Sequence, residues 1–330
     1  MDFQPTEDQR DLRAGVRGLL EGRYGREALR AAVDAAAGAG TGAGAAVDRG
    51  LWRELGEAGF FALRLPESEG GVGLGLPEAV LVFEEAGRAL VPGPLVATHL
   101  AAGVVPGAAA GTAVVTAFDL AGDLAGDLVA YLGEADAVLG AAVLPVGEPV
   151  RAADPLTPLH RVARPGGAEA SASASRSASR SASRSVSVSA YVSEGALLTA
   201  ALQVGSALRT VELAVRYAGE REQFGQPIGA FQAVKHTCAQ MLVRAEVART
   251  AVYAAAVTGD PGEAAAAKLL ADGAAVRNAR DCLQVHGGMG FTWEADVHLH
   301  LKRAWVRAEQ WRTAAEAEEL LAAELLDSAG

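Results

Sequence analysis

The sequence predicts a mainly α-helical protein with a small β region in the middle, and three observations predict it. Half of the 330 residues are hydrophobic but only 5% are aromatic, and alanine is abundant; that composition favours closely packed helices. Apolar residues recur at helical spacing through residues 1–110 and again through 191–330. Between them, short apolar runs such as Ala113 to Phe118 and Ala137 to Leu144 are separated by Gly, Asp and Pro, the texture of short strands. The expected order is an N-terminal helical domain (1–110), a reduced middle β domain (111–190) and a C-terminal antiparallel helical bundle (191–330).

Thr6 followed by Gln9 forms a capping-box pattern, and Leu12, Val16 and Leu19 continue it at helical spacing, so a helix begins near Thr6. The Ala35 to Ala46 tract has only glycine and small side chains over most of its length and reads as a loop or a loosely held helix end. Trp52, Leu55 and Phe60 resume the packing. Pro66-Glu67-Ser68-Glu69-Gly70-Gly71 is punctuated as a loop, and Pro77 suits the first position of the helix that carries Val80, Phe83 and Leu90.

Ala170 to Ser189 alternates serine with alanine, arginine or valine and cannot bury a core face, so a poorly packed strand or loop is expected there, with Val186, Val188 and Tyr191 on any strand that forms. Arg176, Arg180 and Arg184 would then be solvated. From Ala196 the helical signal is strongest, with Leu198, Leu202, Leu208, Val211 and Val215 on one face. Further helices carry Phe231 to Val252, Leu269 to Leu283, Glu294 to Arg307 and Ala314 to Leu326, with Asp260-Pro261-Gly262 as a break.

Charge and cysteine content exclude several functions. A net charge of -11 repels polyphosphate backbones, so nucleic acid is not an expected partner. Cys238 and Cys282 have neither metal-knuckle nor disulfide-framework spacing and read as reduced thiols. His298 and His300, two apart, fall on different faces of a helix and do not form a zinc pair. Acidic residues at 2, 7, 8 and 11 do not fit a signal peptide, and the run Ala101 to Ala117 is too short and broken to span a bilayer, so a cytoplasmic protein is expected.

Two motifs carry the chemistry. In Arg221-Glu222-Gln223-Phe224-Gly225-Gln226-Pro227-Ile228-Gly229-Ala230-Phe231-Gln232, a guanidinium fork, an amide and a flat apolar face lie where one helix stops, a set suited to a diphosphate and a purine. Gln284-Val285-His286-Gly287-Gly288-Met289-Gly290-Phe291 ends another helix with glycines that let a ligand approach the backbone. Alone, the first also reads as a turn and the second as a helix cap. Their order and separation resemble acyl-CoA dehydrogenases, over about Ala196 to Arg303, and the Pro66 to Gly71 loop resembles the N-terminal domain of the same family.

The resemblance implies a fold of N-terminal helical domain, middle β domain and C-terminal four-helix bundle. It implies FAD, whose ADP half would be held across a subunit interface by Arg221, Gln223, Phe224, Gln232, Gln284, Gly287 and Gly288. The reaction implied is α,β-desaturation of an acyl thioester, on CoA or a carrier protein: a carboxylate removes the α-proton, flavin N5 accepts the β-hydride, and an acceptor such as an electron-transfer flavoprotein reoxidises the flavin. A desolvated site would raise that carboxylate's pKa toward working pH.

The chain departs from the family pattern at the base. One family location falls on Gln310 and Trp311, with Glu309 beside it; the other, counted back from Arg221, falls on Gly195, with Glu194 beside it. Nor does any tryptophan occur between Trp52 and Trp293, where the family places one against the flavin ring. The leading expectation is therefore one subunit of a hetero-oligomer resembling actinobacterial α2β2 members, with a paralogous partner carrying the complete flavin ring pocket and base. The alternatives are a homo-oligomeric dehydrogenase using Glu194 or Glu309, and a non-redox binding or scaffolding subunit or flavin-independent enzyme.

Overall fold

The computed structural model describes residues 5–38, 47–120, 127–163 and 167–328; for 37, 38, 167–190 and 328 it describes the backbone alone. The chain opens with α1 (Glu7–Arg23), α2 (Arg26–Gly38), α3 (Arg49–Glu57), α4 (Leu76–Arg88) and α5 (Leu95–Leu100). Thr6 caps α1 in a complete capping box with Gln9, and Pro77 sits in the first turn of α4, second rather than first. The glycine and alanine tract beyond residue 38 lies outside the described residues as far as 46.

Short strands follow: β1 (Val115–Thr116), β2 (Asp127–Ala130), β3 (Ala137–Val138), β4 (Glu148–Val150) and β5 (Leu159–Val162). β1 pairs with β3 in parallel, and β2, β5 and β4 form an antiparallel sheet in that order, with Asp127 opposite Val162. The expected β texture of this region is therefore present as small sheets.

The serine-rich segment is neither strand nor loop. It forms the first half of α6 (Gly167–Glu220). After Gly167 it contains no glycine or proline until Gly195, and alanine, the best helix former, recurs through it, so nothing interrupts backbone hydrogen bonding. The side chains of Arg176, Arg180 and Arg184 lie outside the described ones.

A hairpin of β6 (Glu222–Gln223) and β7 (Gln226–Pro227) leads to α7 (Gln232–Thr258), α8 (Pro261–His286), α9 (Val297–Ala308) and α10 (Ala314–Ser328). Asp260 caps α8 by accepting a hydrogen bond from the Glu263 amide. One continuous core joins the N-terminal helices to this bundle, with Trp52, Phe61 and Phe83 wholly buried.

Two glycines set how closely α4 meets α6. A Cβ on Gly205 would lie 1.8 Å from the Glu84 carbonyl oxygen, and one on Gly87 would lie 2.0 Å from that of Leu202. The helices thus cross backbone to backbone. Ions then fasten α4 to its other neighbours: Arg13 and Arg17 of α1 pair with Glu85, while Arg13 and Arg249 of α7 pair with Glu84.

Lys302 and Arg303, neighbours on α9, differ from one another. Lys302 Nζ lies 5.0 Å over the Trp293 ring. Arg303 is buried, pairs with the buried Asp154, and donates to the Val91 carbonyl at 3.2 Å. His300 is buried too and bonds Ser206 at 2.7 Å; burial pushes its pKa down to about 3.

Candidate functional site

The two motifs meet at one end of the bundle. Tyr217, one turn before Arg221 on α6, stacks on His286 at the end of α8 with ring centroids 4.1 Å apart. His286 is held in turn by its Nδ1 contact with the Cys282 carbonyl at 2.8 Å. The hairpin is closed by the Ile228 amide donating to the Arg221 carbonyl at 2.8 Å, and Gly229 packs so tightly on α6 that a Cβ would sit 2.9 Å from the Ala218 carbonyl.

This closure turns the motif side chains outward. Phe224, in the left-handed region at φ 53 next to Gly225 at φ 78, is 92% exposed, and its ring meets Phe231 edge-on at 6.0 Å. Arg221, Gln223, Gln232, Gln284 and Gly288 are exposed as well. Among the described residues no carboxylate pairs with the Arg221 guanidinium. Gly287 takes φ 59 and ψ -140, a conformation side chains disfavour, and a Cβ at Gly287 or Gly288 would touch nothing within 4 Å. A free guanidinium, three amides, an exposed phenyl face and an open glycine backbone fit the diphosphate and adenine of an ADP group. All five side chains are exposed to solvent.

The second region is a cleft of about 460 Å³ between the end of β1, the α6 wall and the α9–α10 turn, walled by Phe118, Leu139, Tyr191 and Trp311. Glu309 is exposed at its rim with Glu316. Glu194, on the neighbouring stretch of α6, is taken up in an ion pair with Arg64. The structure thus brings Glu309 to the cleft but binds Glu194 to an arginine beside it.

Gly195 and Trp311, the positions flanking the expected base, are packed on one another. A Cβ on Gly195 would lie 2.2 Å from the Trp311 ring. Trp311 itself sits at φ 62, where a glycine would rest without strain, and it is held by its amide donating to the Asp119 carbonyl at 2.6 Å. No side chain can therefore enter the cleft from position 195.

The residue that sequence reasoning missed is Asp119. Gln310 Nε2 donates to its Oδ2 at 2.8 Å, while Oδ1 is enclosed and accepts no hydrogen bond among the described residues. Burial pushes the carboxyl up to about 7, against the Gln310 hydrogen bond, which favours the charged form. The one signal available was an acid ending the apolar run Val114 to Phe118, whose partner is 191 residues away. Behind the cleft, Arg307 is buried and pushed down to about 9, first by burial and then by Arg303. No cluster of metal ligands occurs among the described residues.

Residues 6–117 match the acyl-CoA dehydrogenase N-terminal domain and residues 186–315 match the C-terminal domain. The chain belongs to the acyl-CoA dehydrogenase family. It is 34% identical to the acyl-CoA dehydrogenase IpdE2 of Mycobacterium tuberculosis, with 98% of this chain and 99% of that one covered. It is also 34% identical to the acyl-CoA dehydrogenase FadE34 of the same organism, covering 98% of this chain but spanning half of that longer relative. Among solved structures, the ChsE4–ChsE5 complex from Mycobacterium tuberculosis shares the fold at a TM-score of 0.73 and 24% identity, covering 99% of both chains. The family is one of oxidoreductases acting on acyl-CoA, and no described helix is long and apolar enough to cross a membrane.

Proposed function

We propose that this chain is one subunit of a flavin-dependent enzyme that desaturates an acyl thioester between its α and β carbons, and that it lends contacts to the ADP half of an FAD whose ring lies in a paralogous partner. The outward face carries this reading: Arg221, Gln223, Phe224, Gln232, Gln284, Gly287 and Gly288 share one end of the bundle, and the five side chains among them are exposed. The flavin, when bound, supplies acceptance of the β-hydride.

The residues have distinct tasks. The Arg221 fork neutralises diphosphate charge, the Phe224 ring offers a stacking face, and Gln284 with the Gly287-Gly288 backbone accepts and donates hydrogen bonds without steric interference. A solved relative that is a complex of two differently named chains supports the two-subunit reading. So does the Trp311 ring lying over Gly195, which fills the space beside that expected base position. The CoA or carrier-protein thioester and the final electron acceptor follow from the family reaction.

Purification of the chain alone and together with a co-expressed acyl-CoA dehydrogenase paralogue tests the proposal. Flavin absorption bands and desaturase activity are expected only from the pair. Stoichiometric flavin and full activity in the chain alone would favour the homo-oligomeric reading, in which Glu309 at the cleft rim is the candidate base and Glu194 the weaker one.

A further inference from the structure

A second cavity, of about 360 Å³, shares no residue with the cleft at Trp311 and lies between α1, the start of α2, the end of α4, α6 and α9. Five arginines line it against three carboxylates, and one further acid, Glu212, pairs with two of them. Cations thus outnumber acids here in a chain whose net charge is -11, so the cavity favours anions. Arg17 pairs with Glu85 and Arg26 with Asp296, but Arg88 and Arg209 share the single carboxylate of Glu212. Arg88 takes both of its oxygens, whereas Arg209 reaches one of them through a single nitrogen at 3.0 Å. The rest of the Arg209 fork has no partner among the described residues.

His300 supplies an independent observation. It is only 3% exposed and lines the cavity, and its Nδ1 is taken by Ser206 at 2.7 Å. Its Nε2 has no hydrogen-bond partner among the described residues, yet it is not sealed from water, and the space it reaches is this cavity. Burial first, and then Arg209, push the ring's pKa down to about 3, so it stands there uncharged. With the Ser206 hydroxyl donating to Nδ1, Nε2 carries the hydrogen and is a neutral donor.

We infer that this cavity binds a small carboxylic acid, its carboxylate taken by the unused donors of Arg209 and the Nε2 hydrogen of His300, and its apolar body by Leu20, Leu29 and Leu213. A planar guanidinium fork matches a carboxylate, and the bond is strengthened by charge. The bound acid supplies a second carboxylate where Arg88 and Arg209 now share one. Leu213 follows Arg209 by one turn of α6, so an apolar body attached to the head group meets an apolar wall next to it. The volume is that of a pocket for a small molecule. The inference does not depend on the proposed FAD contacts.

The test titrates the full chain with hexanoate at neutral pH, by calorimetry and by proton NMR of the histidine rings, with hexan-1-ol, hexylamine and inorganic phosphate as matched controls. Saturable binding of hexanoate at one site is expected, with a shift of the His300 ring signal, which H300Q identifies by removing it. Arg209→Ala should weaken hexanoate by about tenfold or more, the loss of a charge-assisted hydrogen bond. Arg209→Lys, which keeps the charge but not the fork, should recover part of the affinity. Circular dichroism shows whether each variant is folded.

Absence of saturable binding by wild type, or a His300 signal that stays in place as hexanoate binds, overturns the site. So does unchanged hexanoate affinity in a folded R209A. Binding of hexan-1-ol or hexylamine as tight as that of hexanoate overturns the role of the arginines, and phosphate binding as tightly as hexanoate overturns the assignment to a carboxylic acid. R221A is expected to leave hexanoate affinity untouched, and R209A to leave the flavin content of the paired complex untouched. Loss of hexanoate binding in R221A would place the acid on the ADP face and overturn the inference, whereas loss of flavin in R221A alone bears only on the proposed FAD contacts.

Discussion

The hairpin end of the bundle and the Asp119 cleft handle polar groups in opposite ways. At the hairpin, Arg221, Gln223 and Gln284 project outward, and a Cβ on Gly287 or Gly288 would meet open space. In the cleft, Asp119, Gln310 and Trp311 lock each other, and a Cβ on Gly195 would strike an aromatic ring. The first is a surface whose chemistry needs another molecule to be completed. The second is an interior whose chemistry is set by burial within one chain. The same kinds of residue, amide, charge and glycine, thus serve association in one region and desolvation in the other.

The largest expected effect probes the wall behind the cleft. Asp154 and Arg303 are both buried and paired, so Asp154→Ala leaves an uncompensated guanidinium and should cost about 3–5 kcal/mol in urea unfolding. A cost under about 1 kcal/mol would show that Arg303 finds water or another acceptor.

One substitution made in both regions sharpens the contrast. Gly195→Ala must displace the Trp311 ring and is expected to cost about 1–3 kcal/mol. Gly288→Ala meets nothing within 4 Å and should stay within about 0.5 kcal/mol, even where it weakens flavin retention. Equal costs at the two glycines would break the distinction between an open face and a closed cleft.

A pH series separates the buried groups by sign. His99 and His300 are pushed down to about 4 and about 3 by burial. They favour the folded state above their ordinary value of 6.5, and that stability is lost as pH falls from there toward 4 and 3. Asp119 is raised from 3.8 to about 7, so its contribution is fully present below 3.8 and lost as pH rises through 7. Thermal melts should therefore show D119N gaining on wild type from pH 4 to 7 and no further above it. A constant difference across that range would mean that Asp119 is ionised throughout.

What the sequence revealed was mostly local. Thr6 with Gln9, Pro77 and Asp260-Pro261-Gly262 announce helix ends because each acts on backbone groups within one turn. The ADP motifs are contiguous for the same reason: a turn and its ligand contacts share a few residues. What stayed hidden depends on distant partners. Gln310 with Asp119, Arg303 with Asp154, and Gly205 against the Glu84 carbonyl join segments more than a hundred residues apart. Composition misled at the serine-rich segment, where polarity suggested a strand or loop but an uninterrupted run free of helix breakers continued α6 toward its N-terminus.

The flavin affinity of the paired complex, measured for wild type and R221A, tests most directly whether this chain supplies half of a shared cofactor site. A charge-assisted fork lost from the diphosphate should weaken FAD binding by about tenfold or more, with the stability of the isolated chain unchanged. Unaltered FAD affinity in a folded R221A complex would contradict the account.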